Sequence, residues 1–189
     1  MKSFSFFILT VFFSIGVMGQ SPLPFYEIPK AADEASAGAV LSRMVDGLGF
    51  RFYWASEGLT EKDLKFQPNE EVRTSGKTVE HIYDLSKTLL SLTKTSFKQN
   101  KEKAQMTFEE MRAQTLLNFE ALSLRFRNSD NLQEFDVVQN GKVTIPFWNL
   151  INGPIADAIW HCGQLASFRR STGNPINPKV NHFTSTVRQ

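Results

Sequence analysis

The sequence predicts an all-α fold, a four-helix bundle with one small β-hairpin between its third and fourth helices. Three observations lead there. Four stretches of about twenty residues space their apolar side chains by three and four, the interval that gives a helix one dry face. Helix-capping residues stand before several of these stretches, and Gly or Pro follows them. One short stretch, around Asn140-Gly141, carries a strand-and-turn signal instead.

Residues 1–20 read as a secretory signal peptide. Lys2 supplies the positive start, residues 4–17 are mostly apolar, and Gly19 is a small residue at the expected cut. The apolar run is shorter than the roughly 18–20 residues a spanning helix needs. The chain is therefore expected to be exported, periplasmic or secreted, with no stable membrane anchor after cleavage. Pro22, Pro24 and Pro29 make residues 21–33 an extended lead-in.

The bundle is expected over residues 34–175. Val40, Met44, Leu48, Phe52 and Ala55, widened by Leu41 and Val45, place the first helix at 34–56, although Gly47 and Gly49 weaken it locally. The loop at 57–76 holds one short turn, where Thr60 and Asp63 resemble a capping box. Val79, Ile82, Leu85, Leu89 and Leu92 place the second helix at 75–94, capped by Thr74 or Ser75. Polar, Lys-rich residues 95–104 form a linker. Thr107 caps the third helix at 106–128, in which Phe108, Met111, Thr115, Phe119, Leu122 and Phe126 form the seam. Asn140-Gly141 joins the two strands of the hairpin, since both residues tolerate positive φ. The fourth helix is expected at 147–172, kinked at Gly153-Pro154. Trp148, Ile151, Ile155, Ile159, Cys162 and Leu165 form its core stripe. Residues 176–189 should be an irregular tail.

Composition narrows the function. The 189 residues carry a net charge of +2, with the basic residues dispersed, which gives no electrostatic basis for binding nucleic acid. Cys162 is the single cysteine, so there is no intramolecular disulfide. Phosphate loops, zinc-finger cysteine spacings and nucleophile elbows are absent from the sequence.

The chemistry concentrates on the fourth helix. Asp157 and His161 stand four apart and so project from one face, with Cβ atoms about 5–6 Å apart. A carboxylate and an imidazole so placed can share one divalent cation. They can equally satisfy each other as an ion pair without a metal. His81, inside an apolar stretch of the second helix, is the third candidate ligand. Two imidazoles and a carboxylate would leave coordination positions open. Asp84, three residues after His81, could orient its ring, while Gln164 and Glu80 could orient ligands or substrate. His182 is expected at the surface, and Cys162 points about 100° from His161.

Three stretches of sequence add a resemblance. Arg51-Phe52-Tyr53-Trp54-Ala55 is followed by Gly58-Leu59-Thr60-Glu61-Lys62-Asp63-Leu64. Thr78-Val79-Glu80-His81-Ile82 comes next. His161-Cys162-Gly163-Gln164-Leu165 then leads to Phe168-Arg169-Arg170 and Gly173. In this order and spacing, over about 35–175, the chain resembles the DinB-like (DinB/YfiT-like) metalloenzyme superfamily. The resemblance implies a four-helix bundle holding one divalent metal through three helix-borne residues, usually histidines. His81 matches the first ligand and His161 the last. Asp157 stands where the family usually has its second histidine. This departure makes the set two histidines and one carboxylate, and leaves Zn, Ni, Fe or Mn open. Characterised members of the family include transferases and isomerases that use bacterial low-molecular-weight thiols. An exported chain is separated from those thiols, so that chemistry is discounted here.

The expected function is a metal-dependent hydrolase or transferase acting on a small molecule. The alternatives are a non-catalytic envelope protein binding a metal or small ligand, and a scaffold bundle, for which a homodimer is compatible.

Overall fold

The structure, a computed structural model, describes residues 22–99 and 101–189. The expected signal peptide lies outside the described residues. The described chain is mainly helical, and its only sheets are two small two-stranded ones. No helix among the described residues is long and apolar enough to cross a membrane.

The first long helix, α1, runs Ala37–Ser56, with Ser36 as N-cap accepting from the Ala39 amide at 3.2 Å. Its buried stripe passes through Leu41, Val45, Leu48 and Phe52, while Val40 and Met44 are exposed. The dry face is thus rotated slightly from the one the sequence suggested. Gly49 faces the ring of Phe25 so closely that a Cβ would collide with it. This packing explains a glycine that intrinsic helix propensity disfavours. The lead-in is correspondingly not a plain extended arm. Phe25 is buried at positive φ, and the Tyr26 carbonyl accepts from Trp54 Nε1 at 3.0 Å.

A single turn, α2 (Glu61–Lys65), carries the capping box of Thr60 and Asp63. Asp63 also accepts from Thr172 and, at 2.7 Å, from Asn174, which ties this turn to the far end of the chain. Next come α3 (Ser75–Leu92), capped by Thr74, and α4 (Phe108–Arg127), capped by Thr107 and Glu110. Each long helix falls within two or three residues of its expected bounds.

Strands β1 (Val137–Gln139) and β2 (Lys142–Ile145) pair antiparallel across Asn140-Gly141, both at positive φ as such a turn requires. A short turn, α5 (Trp148–Leu150), runs into a π-type turn at Ile151–Ile155. Gly153 leaves helical φ/ψ there and Pro154 lacks an N–H, so the kink falls where the sequence placed it. The last helix, α6, runs Ala156–Ser171. The kink also breaks the helical phase. Trp148, expected on the core stripe, is 67% exposed, whereas Ile155, Cys162 and Leu165 beyond the kink are buried.

Both α1 and α3 pack against α4 and against α6. The core between them holds Leu48, Phe52, Ile82, Leu89, Phe119, Leu122, Ile155 and Leu165. Fully burying each such side chain stabilises by about 1.5–3 kcal/mol. Two buried arginines close the C-terminal end of α1. Arg112 donates to the Tyr53 carbonyl at 3.2 Å, and Arg169 to the Trp54 carbonyl at 2.7 Å. The Tyr53 carbonyl also accepts from the Glu57 N–H at 2.9 Å, whereas the Trp54 carbonyl is one the helix end leaves to a side chain.

The C-terminal tail departs from expectation. Instead of being irregular, it forms a hairpin of β3 (Val180–Asn181) and β4 (Thr186–Val187). The reason is apolar surface: Val180 is buried against Phe50 and Trp54 on the outer face of α1, with Ile176 and Val187 packed beside them.

Candidate metal centre

His81 lies in the second turn of α3, and Asp157 and His161 occupy the first two turns of α6. Because α3 packs against α6 and the preceding π turn, the three side chains meet. His81 Nε2 lies 3.1 Å from Asp157 Oδ2, and His161 Nε2 lies 3.3 Å from Asp157 Oδ1. The two imidazole rings stand edge to face, with centroids 4.7 Å apart. One ligand atom from each residue can be chosen so that all lie within 4.8 Å of one another, and the group could hold a metal ion.

The two contacts fall on different oxygens of Asp157, so its carboxylate faces both imidazoles at once. The donors also suit a borderline divalent ion, two imidazole nitrogens and one carboxylate oxygen. Asp157 sits in the first turn of α6 and His161 one turn later, so both side chains leave the helix on one face.

Gln164 is placed as its spacing suggested. His161 Nδ1 lies 2.9 Å from Gln164 Oε1. An amide oxygen only accepts, so Nδ1 carries the proton and a neutral ring keeps the lone pair of Nε2 for the shared point.

Asp84 and Glu80 are placed differently. Asp84 pairs with Lys103, and Glu80 accepts from Lys77 at 2.8 and 2.9 Å. Among the described residues neither is hydrogen-bonded to either histidine. The i,i+3 spacing of Lys77 and Glu80 on α3 already favoured their pairing. The partner of Asp84 comes from the linker, nineteen positions on, and no local pattern indicated it.

The site is open to water: the side chains of His81, Asp157 and His161 are 28%, 42% and 15% exposed. Cys162, next to His161, takes no part. Its thiol is buried, and burial pushes its pKa up to about 12, so it stays protonated. His182, expected at the surface, is exposed and packs edge-on against Phe50 at 5.9 Å.

In comparisons with known proteins, no family model, no curated protein and no solved structure matches this chain.

Proposed function

We propose that this protein is an exported, DinB-like four-helix bundle that binds one divalent ion through His81, Asp157 and His161 and works as a metal-dependent hydrolase or transferase on a small molecule. The observation that carries the reading is the convergence of those three side chains from two separate helices on one point. The mutual packing of α1, α3, α4 and α6 supports the bundle, and the apolar N-terminal segment supports export.

A divalent ion held there supplies Lewis acidity toward a substrate oxygen or water. The residues of the chain do the rest. The Asp157 carboxylate offsets one of the ion's two charges. Gln164 fixes the His161 ring through Nδ1, leaving Nε2 directed at the shared point. The exposure of Asp157 and His81 leaves a path for substrate, which favours catalysis over a closed structural site. Zn, Ni, Fe and Mn all suit the donor set.

A second reading has its own observation. Separations of 3.1 and 3.3 Å also fit an ion pair in which imidazolium N–H groups donate to Asp157 without any metal. Elemental analysis of protein purified without an affinity tag separates the two. The metal reading expects about one equivalent of a transition metal in the wild type. It expects none in His161→Ala, with helical content retained. Full metal in the variant, or none in the wild type even after incubation with each candidate ion, refutes it. Turnover of a substrate panel with and without chelator then distinguishes the enzyme from a non-catalytic binder.

A further inference from the structure

A second cleft lies on the opposite side of α6. At 100° per residue, Ile159, Gly163, Ala166 and Arg170 project roughly 180° away from the face that carries Asp157, His161 and Gln164. Arg51 and Ala55 of α1 form another wall, and the C-terminal segment closes the cleft with Ile176, Asn177 and Val180. Its volume is about 500 Å³, within the range of roughly 300–1,000 Å³ usual for small-molecule sites.

The lining has one sign of charge. Arg51 and Arg170 both face the cleft, with His182 beside them, and no carboxylate lines it. Among the described residues neither arginine is ion-paired. Arg51 donates to the Gly47 carbonyl at 2.9 Å, which orients its guanidinium without neutralising it. The remaining walls are mostly apolar, formed by Ala55, Ile159, Ala166, Ile176 and Val180, with Asn177 as the polar exception. Two guanidinium forks above an apolar floor match an oxyanion on an apolar body, because each fork can engage two oxygens.

We propose that this cleft binds a small organic anion, with its head group held by Arg51 and Arg170 and its apolar part against Ile159, Ala166 and Ile176. The site is separate from the candidate metal centre. Carboxylate and phosphate-monoester heads share the chemistry, and the titration distinguishes them.

Gly163 gives a clean way to block it. A Cβ at this position meets nothing within 4 Å, so a larger side chain extends into the cleft, and replacing an interior helical glycine favours the helix. Chelator-treated protein is titrated calorimetrically with hexanoate, hexyl phosphate and 1-hexanol. At least one anion should bind with one-to-one stoichiometry, about 10-fold or more tighter than the alcohol. Arg51→Gln and Arg170→Gln should each weaken the anion about 5-fold or more and leave the alcohol unchanged. Gly163→Leu should abolish binding with unchanged circular dichroism. Preference for hexanoate assigns a carboxylate head, and preference for hexyl phosphate assigns a phosphate. Equal affinity for 1-hexanol, no binding of either anion, or undiminished binding in Gly163→Leu overturns the proposal. If Gly163→Leu fails to fold, the two arginine variants decide, and undiminished anion binding in both overturns it.

Discussion

Asp157→Asn isolates the metal reading, because it keeps the shape of the side chain and removes its charge. Asp157 is 42% exposed, and ion pairs at such sites contribute only about 0–1 kcal/mol. The metal-free variant should therefore unfold within a few degrees of the wild type. Zinc makes the difference. An ion that binds only the folded state stabilises it by RT ln(1 + [L]/Kd), or about 2.7 kcal/mol at one hundred times Kd. For a chain of 189 residues, each kcal/mol moves Tm by about 2–4 °C. The wild type should gain about 5–11 °C. Loss of a residue that merely orients a ligand costs about 10–100-fold in affinity, so loss of a ligand should cost at least about 100-fold. At the same zinc concentration the variant keeps about 0.4 kcal/mol, a shift of about 1–2 °C. Calorimetric or fluorimetric melts of both proteins, after chelation and dialysis and with defined free zinc, give the answer. Equal shifts would remove Asp157 from the ligand set. No shift in the wild type with Zn, Ni, Mn or, under anaerobic conditions, Fe(II) would remove the centre itself.

Two further predictions concern groups outside that centre. Burial raises the pKa of Asp63, but hydrogen bonds from Thr172, Asn174 and Thr60 outweigh it and hold the carboxyl well below the usual carboxylate range. A lowered folded pKa gives stability that is present above the unfolded value near 4 and lost as pH falls below it. Asp63→Asn should thus cost about 2–4 kcal/mol at pH 7 by urea denaturation, and the gap from wild type should narrow between about pH 4 and pH 2. A gap independent of pH would show that the charge of Asp63 is irrelevant. Using the difference between the two proteins cancels Asp46, whose pKa is raised by burial and whose pH dependence has the opposite sign. Cys162, buried with its pKa pushed up to about 12, should resist a maleimide at pH 7.5 for hours and react within minutes in denaturant. Rapid labelling of the native protein would mean that this part of α6 opens readily.

What the sequence made legible follows the range of each interaction. Thr60 with Asp63, Thr107 with Glu110 and Asn140 with Gly141 act over one to three residues, and each appears where local chemistry put it. Asp157, His161 and Gln164 share a face by helical spacing alone. His81 could not be joined to them that way, since it lies 76 positions from Asp157 and only the packing of α3 on α6 brings it there. The misplacements of Asp84 and of the C-terminal tail share this cause. Asp84 found Lys103 across a linker. The tail folded because Val180 met Phe50 and Trp54, which no window of sequence contains together. Asp46 is buried between α1 and α4, where Ser123 and Arg127 satisfy it. Its cue was a lone acid beside the buried Val45, and its partners lie about eighty residues on.

The kink before α6 links fold to chemistry more directly than any ligand does. Had α5 and α6 been one straight helix, Trp148 would share the buried face of Ile155 and Cys162. Gly153 leaves helical geometry and Pro154 offers no N–H, so the backbone ladder is interrupted and a new helix begins at Ala156. Asp157 thereby falls in the first turn of that helix. His161 follows one turn later and shares its face. The same break also frees Trp148 from the phase of α6, which is why that side chain could leave the core without moving Ile155, Cys162 or Leu165. One Gly-Pro pair therefore sets where the helix of the candidate ligands begins and sends a tryptophan to the surface.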